Sequence, residues 1–469
     1  MIAPPRGLLM KGNHFQVAII GAGPAGMAAA LATTEVGLET IVIDDQQNSG
    51  GQVYRNLQNN KSLLPAYLGE SYYAGTKLSD EFNDCAAIYR SNCTVWQITN
   101  SHEIAIVSSG KAELISADYI IIATGAIERA MPIRGWTLPG VMSVGGAQTL
   151  LKQSALGADG AIFVGSGPLL YLTAWQYIKA GLSVRAVIDT TGNKQWLSAM
   201  AFAPLALLQL DMLKMGQKWL SEIRRSTEFV SNVRTVEITG NSKVEGLSYT
   251  LSSGKKVTML ATHVFLHQGV VPNVNLSMAS GLDHQWDRKA HCWRPVIDSM
   301  GKTSDDRIYI AGDGGGIGGA NAAVVAGRLS GTAIVARYGR SNFVAQMYNK
   351  LRHLHYLSIR PFLERLYLPP VQFRLPQNNE IIICRCEAIT KADINAALDS
   401  GVTGPNQLKA FSRAGMGRCQ GRNCGLLVQE MIAARTGQSM VETGYYRLRP
   451  PVKPITLAEL ASLEGPWPQ

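Results

Sequence analysis

Residues 15–34 read F-Q-V-A-I-I-G-A-G-P-A-G-M-A-A-A-L-A-T-T. An apolar run rich in β-branched residues passes at once into a glycine turn, then into an alanine-rich helix former. That order gives the G-x-G-x-x-G spacing a dinucleotide-binding meaning. Gly21 permits the tight turn, Gly23 lets a pyrophosphate approach the backbone, and Gly26 lets the helix lie on the strand. Pro24 and Ala25 belong to the same phosphate-facing turn. The helix N-terminus offers free N–H groups and a positive dipole end. A second strand, Thr40–Ile43, ends in Asp44, whose carboxylate is placed to accept from both ribose hydroxyls.

Two later strands extend this unit. Tyr119–Gly125 reads Y-I-I-I-A-T-G, and Arg307–Asp313 reads R-I-Y-I-A-G-D, followed by a small-residue stretch to Ala326 that starts a helix. In flavoproteins with two dinucleotide domains, a strand-ending acid of this kind bonds the FAD ribityl chain, and the next helix aims its N-terminus at the flavin. Asp313 is the candidate; a helix-capping role is compatible with it. A second unit starts at Ala161–Val164, with Gly165 and Gly167 in its turn and Asp189 at the end of its second strand. Leu170 replaces the third glycine and is expected to crowd a pyrophosphate. Occupancy by NAD(H) is therefore left open; Asp189 without nearby arginines favours NAD over NADP.

Four of the seven cysteines lie near the C-terminus, Cys384 and Cys386 in C-R-C and Cys419 and Cys424 in C-Q-G-R-N-C. Four thiolates suit zinc or a [2Fe–2S] cluster, and a flavin domain in the same chain favours the cluster. Cys424 precedes a helix at 425–435, whose dipole favours a thiolate. Thr390 and Asp393 form a capping box for a helix through Leu398. Amides around Gly415, Gly417 and Gly421 are placed to bond the sulfurs. Cys85 and Cys93 are too far apart in sequence for a flavin-linked redox pair. No Ser/His/Asp or His/Glu constellation indicates hydrolysis, and no residue stands out as an acid or base. His267 is expected to be structural, a contact to another subunit or a flavin neighbour.

At 469 residues the chain accommodates two or three domains. With 46% apolar and 17% charged residues it does not have the composition of a disordered protein. The net charge of +10 is spread out, apart from modest clusters at 337–374 and 409–449, which argues against nucleic acid and for a protein docking face. Residues 196–223 are long, apolar and rich in Met and Leu; they read as a buried helical pair or as an exposed face for a partner. No apolar run approaches the roughly 20 residues of a membrane span. The first eleven residues lack a signal-peptide core, and the thiols favour a reducing compartment. A cytoplasmic protein is expected, with peripheral association at the inner membrane left open.

With these motifs placed, the chain resembles the flavoprotein α, or A, subunits of bacterial opine oxidases and of dye-linked proline and hydroxyproline dehydrogenases. The B component of hydrogen cyanide synthase belongs to the same group. The resemblance is carried by GAGPAG (21–26), GGQVYR (50–55), ATGAIER (123–129), GWTLPGVMSVGGAQ (135–148), GSGPLL (165–170), HQGVVPN (267–273), WRPVID (293–298), AGDGGGIGGA (311–320) and the four-cysteine region. The last also resembles bacterioferritin-associated ferredoxin, although that domain has C-x-x-C where this chain has C-x4-C.

The resemblance implies an α/β fold: FAD and NAD(P) Rossmann-like domains with a small helical C-terminal [2Fe–2S] domain. The FAD-type domain would comprise 14–128 and 290–340, with the second Rossmann unit at 129–289. A linker at 341–377, a cluster domain at 378–445 and a tail at 446–469 would follow. The first site would hold FAD or only an adenine nucleotide, with Gly51, Gln52, Arg55, Ala123, Thr124, Gly125 and Gly312 beside the residues already named. The resemblance further implies an FAD-containing β subunit that oxidises the amine, an FMN between the α and β chains in some members and a small [2Fe–2S] γ subunit in others. Electrons would leave to a quinone, cytochrome or dye. An NAD(P)H-dependent flavin/[2Fe–2S] reductase, a component of hydrogen cyanide synthase and a redox-inactive scaffold are the alternatives.

Overall fold

The computed structural model describes residues 13–63, 66–340 and 342–463; the N-terminal stretch considered for a signal peptide lies outside them. The strand His14–Ile20 sits between Thr40–Ile43 and Lys111–Ile122, both parallel to it, and Ile308–Ile310 joins Lys111–Ile122 on its free side. Val17, Ala18, Ile19 and Ile20 are buried because helices or strands cover both faces, which is why the run is continuously apolar. Lys111–Ile122 is long enough to serve two partners: its first half pairs antiparallel with Glu103–Ser108, which in turn pairs with Cys93–Ile98.

One face is covered by the helices Pro24–Thr34 and Ala320–Arg337 packed on each other. The contact is backbone-close: a Cβ on Gly327 would stand 2.0 Å from the Ala25 carbonyl oxygen. Small residues along both helices are what permit this approach.

The second unit is a five-stranded parallel sheet in the order Glu228–Val230, Val184–Asp189, Ala161–Ser166, Val264–Gln268, Val141–Ser143. A three-stranded antiparallel meander, Val233–Thr239, Gly246–Leu251 and Lys256–Leu260, adjoins it. The chain enters this unit through Ala126–Glu128 and leaves through Val270–Pro272, and these two crossings pair with each other.

Residues beyond 340 are largely helical, with Phe343–Leu357, Arg360–Leu366 and Val371–Arg374 leading to the four-cysteine module. There the Thr390/Asp393 capping box opens the helix Lys391–Asp399, followed by Pro405–Ser412 and Gly425–Thr436. A single apolar core joins this module to the second unit through Trp136, Leu247, Phe373, Leu427 and Val428. The stretch after 445 packs back on the first sheet: Val452 N donates to Trp96 O (3.0 Å), Ala112 N donates to Ser462 Oγ (2.9 Å) and Lys453 pairs with Asp45 (2.5 Å).

The stretch 196–223 is not the buried pair that its apolarity allowed. It forms Asn193–Met200, Ala203–Ala206 and Leu210–Ser226, with Ala199, Ala206, Trp219 and Ile223 inward and most of the leucines outward.

The seam between the two units holds a buried lysine. Lys152, on Val144–Ser154, donates to Gln52 O (3.1 Å), Val53 O (2.9 Å) and Gln148 Oε1 (2.9 Å).

This packing can be probed at two positions. Gly327→Val is expected to destabilise the chain by about 1–3 kcal/mol through overpacking, measured as a fall in midpoint in a urea melt. Burial, with Arg55 nearby, pushes Lys152 down to about 7 from an ordinary 10.5. Between those values the unfolded lysine keeps a proton that the folded one has shed, so stability rises with pH. Lys152→Met is expected to remove a slope of up to about 1.4 kcal/mol per pH unit from urea melts across that interval.

Candidate functional site

Three parallel strands end at one level, with Ile20 in register with Ile122 and Ile122 with Ile310. Gly21, Ala123 and Ala311 follow them, so the rim is made of small residues. Gly21 has φ +106° and a Cβ there would lie 2.6 Å from the Ala123 carbonyl oxygen; the turn is open to glycine alone. Gly23 caps the helix that begins at Pro24, and the buried Ala25 packs against Gly312 and Gly327. Gly26 abuts the Gly21 carbonyl, and Gly51 lies against Gly23.

Asp44 is buried at the end of Thr40–Ile43. Its Oδ2 accepts from Ala22 N (2.5 Å) and its Oδ1 from Gln46 N (2.7 Å). Burial raises its pKa despite these bonds. The carboxylate therefore braces the glycine turn and retains lone pairs for hydroxyl donors. Arg55 donates from Nη1 to Gln46 Oε1, and Gln52 holds the seam to Thr149 and Lys152.

Asp313 Oδ1 accepts from Gly318 N (2.8 Å) and Gly319 N (3.0 Å), immediately before the helix Ala320–Arg337. Gly125 O accepts from Asn273 N at 3.0 Å. Arg55 Nε, Thr124 Oγ1 and Asn273 Oδ1 are buried without a protein hydrogen-bond partner among the described residues. A glycine-lined approach bordered by unpartnered polar atoms fits a dinucleotide. Asn273 was visible in the sequence only as the last residue of HQGVVPN; pairing of the two crossings brings it to Gly125.

The second turn is built differently. Leu170 does not crowd it: the side chain is wholly buried in the core with Ala161, Phe163 and Phe265. The acid at its strand end also has different partners. Tyr171 Oη donates to Asp189 Oδ2 (3.1 Å), Thr191 N donates to Asp189 Oδ1 (2.8 Å), and Tyr367 lies 6.0 Å from the Tyr171 ring. Asp189 is buried, and burial raises it. Gly165 packs against the His267 backbone and Gly167 faces its ring. His267 itself is buried, with Nδ1 2.7 Å from Glu128 Oε1, while Glu128 Oε2 accepts from Gly145 N (2.9 Å). It ties the crossing strand to the second unit, the structural role among those anticipated.

The four cysteines come together from a strand end (Cys384), the bend after it (Cys386), a turn (Cys419) and the N-cap of Gly425–Thr436 (Cys424). The Cys384 thiol neighbours that of Cys424, and the Cys386 thiol that of Cys419. The bond from Cys424, with backbone N–H groups of Gly415, Glu387 and Cys386, holds Cys384 at about 5. The same bond, with burial, pushes Cys424 well up. Gly417 is obligatory here, since its Cβ would lie 2.2 Å from the Cys386 Cβ. No three His, Cys, Asp or Glu groups surround one ion position among the described residues. The donor set is nonetheless that of a soft centre: four sulfurs, backbone amides and a helix N-terminus.

Two features that sequence inspection missed hold this module in place. Glu430 is bonded by His291 (2.9 Å) and by Arg374, and Trp293 Nε1 donates to Gln429 Oε1 (2.8 Å). Asn275 Nδ2 donates to Gln420 O, beside Cys419, at 2.9 Å. Most of these partners lie more than a hundred residues apart in sequence, and no local pattern announces them.

Residues 15–327 match the pyridine nucleotide-disulphide oxidoreductase family, and residues 380–463 match the sarcosine oxidase A3 domain. The opine oxidase A chain of Rhizobium meliloti is 40% identical over 465 residues, 96% of this chain and 88% of the relative. That of Agrobacterium tumefaciens is also 40% identical over 465 residues, 96% of this chain and 92% of the relative. The HcnB component of hydrogen cyanide synthase from Pseudomonas aeruginosa is 29% identical, covering 95% and 98%. In fold the chain is similar to L-proline dehydrogenase from P. horikoshii, with a TM-score of 0.71 at 19% identity, covering 95% of this chain and 79% of that one. Identity at this level, nearly end to end, means that the chain belongs to the pyridine nucleotide-disulphide oxidoreductase family and, within it, to the A-type flavoprotein chains of the opine oxidases.

Proposed function

We propose that this chain is the electron-transferring subunit of a heteromeric dehydrogenase that oxidises an amine or amino acid. FAD is held at the first site and a [2Fe–2S] cluster by Cys384, Cys386, Cys419 and Cys424. The amine is oxidised in a partner chain, with an FMN where the two chains meet and a further small [2Fe–2S] protein in the complex. A quinone or cytochrome takes the electrons. Bound here, the flavin and the cluster supply electron carriage; the protein supplies their positions.

The reading rests on the segment 270–275, which touches both sites, through Asn273 N to Gly125 O (3.0 Å) and Asn275 Nδ2 to Gln420 O (2.9 Å). The same segment pairs with Ala126–Glu128, so the two sites share one hydrogen-bonded bridge. Around it, Asp44 and Asp313 would orient a dinucleotide, the unpartnered Thr124 Oγ1 and Asn273 Oδ1 would be available to bond it, and Gly417 leaves room for Cys386.

In the second unit Asp189 already accepts from a side chain, Tyr171 Oη, whereas Asp44 accepts from backbone N–H groups alone; the NADH test below decides the NAD(P)H-reductase alternative. The scaffold alternative gives no account of the Cys384 thiol held by the backbone N–H groups of Gly415, Glu387 and Cys386.

The decisive experiment is anaerobic purification of the native complex, with assay of iron, labile sulfide, flavin and amine-dependent dye reduction. Absence of both iron and flavin would sink the reading. Cys384→Ser is expected to lose most of the iron and at least about tenfold of the amine-dependent rate while the complex still copurifies; undiminished turnover would favour the scaffold. Gly417→Val is expected to lose iron without loss of flavin, read from the visible spectrum. NADH added to the isolated chain is expected to leave the flavin oxidised, and rapid bleaching would restore the reductase alternative.

A further inference from the structure

Residues 50–55, G-G-Q-V-Y-R, lie directly on the glycine turn of the first site. Gly50 N donates to Ala22 O (2.8 Å), and a Cβ on Gly51 would stand 2.9 Å from the Gly23 Cα. Arg55 reaches Gln46, whose N–H bonds Asp44, and its own Nε is buried without a partner among the described residues. The second unit grips this loop from the other side. Thr149 Oγ1 donates to Gln52 Oε1 (3.4 Å), and the buried Lys152 Nζ donates to Gln52 O (3.1 Å) and Val53 O (2.9 Å). Asn60 Nδ2 donates both to Lys152 O (2.8 Å) and to Tyr72 Oη (2.9 Å), and Tyr72 Oη donates to Arg55 O (2.7 Å).

Three acceptors surround Nζ. Two are the backbone carbonyls of Gln52 and Val53. The third is Gln148 Oε1 (2.9 Å), and a chain of amides fixes its direction. Leu68 O can only accept, so Gln176 bonds it from Nε2 (2.9 Å) and turns its Oε1 to Gln148 Nε2 (2.9 Å). Gln148 Oε1 is thereby left for the lysine. An ammonium supplies three N–H donors, whereas a neutral amine supplies two and turns a lone pair on the remaining oxygen. The titratable groups facing Nζ are Arg55, whose charge opposes a second one, and Tyr72, whose ring centroid is 5.6 Å away and which burial holds neutral. Burial and Arg55 bring Lys152 to about 7, so the third donor is gained or lost near neutrality.

We propose that Lys152 is a positioning residue for the first site: its ammonium, carried by the second unit, clamps Gln52 and Val53 so that the 50–55 loop stays closed on the Gly21–Gly26 turn and presents Arg55 to a dinucleotide. This rests on occupancy of that site by FAD. Below about 7 the amine is charged and the clamp is whole; above it one oxygen loses its donor and the loop loosens. A bound pyrophosphate favours the charged form, so dinucleotide and proton are taken up together and affinity falls as pH rises through that value.

The test is titration of the full chain, stripped of flavin, with FAD from about pH 6 to about pH 9, read as quenching of flavin fluorescence. Wild-type affinity is expected to fall about tenfold or more across this range. Lys152→Met is expected to bind about tenfold or more weakly at the acid end and to lose the pH dependence. Gln148→Met leaves two acceptors, which a neutral amine satisfies, and is expected to keep the acid-end affinity with a flattened profile. A lysine that only supports the fold would weaken binding equally at every pH when replaced, and would leave the Gln148→Met profile as in the wild type; that result would overturn the inference. So would a pH-independent wild-type affinity, or Lys152→Met matching the wild type throughout. If Lys152→Met does not fold, the wild-type and Gln148→Met profiles decide. Failure of the wild-type chain to take up FAD at any pH would remove the reading of the first site, and the inference with it.

Discussion

The molecule depends on how closely backbone approaches backbone at the ends of three parallel strands. Ile20, Ile122 and Ile310 stop in register, and Gly21, Ala123 and Ala311 take over. At this rim a Cβ on Gly21 would meet a carbonyl at 2.6 Å, and one on Gly26 would lie 1.8 Å from the Gly21 oxygen. The helix Pro24–Thr34 begins where the turn ends, and Ala320–Arg337 packs against it through Gly327. The first nucleotide site, the position of Asp313 and the route into the second unit all inherit their geometry from this contact.

A second constraint is that the four-cysteine module is not appended but built in. Its core is continuous with that of the second unit. Glu430, Gln429 and Gln420 anchor it to 273–293, and the residues after 445 return to the first sheet, where Lys453 meets Asp45 next to Asp44. Contacts with both units fix the thiols relative to the glycine rim. Rigid placement of this kind suits the proposed electron carriage, and it is spread over many buried bonds rather than one hinge.

The two Rossmann units began from similar sequence and diverged at their strand ends. In the first, Asp44 is braced by backbone N–H groups alone and retains lone pairs. In the second, Asp189 accepts from Thr191 N and from a tyrosine hydroxyl, and a second tyrosine lies beside the first. The second unit is also a structural partner: its sheet carries His267 against Glu128, and its meander shares a core with the cysteine module. Large apolar residues remain outside on 196–210 and 343–354.

Whatever rests on local spacing could be read before any folding was known. Glycines at 21, 23 and 26, the acids at strand ends, the Thr390–Asp393 box and the cysteine pairs were legible because each motif is satisfied within a few residues of chain. Opine-oxidase-type segments strung along the chain identified the family for the same reason. Packing between distant elements settled the rest. Leu170 looked like an obstruction and is a core residue, because the direction of its side chain depends on helix packing. Tyr171 and Tyr367 close on Asp189 from different elements, and Asn273 and Asn275 join two sites only because the crossing strands pair. Which residues of 196–223 face inward was decided by distant partners, Ile359 and the Arg360–Leu366 helix, against which Ala199 and Ala206 pack.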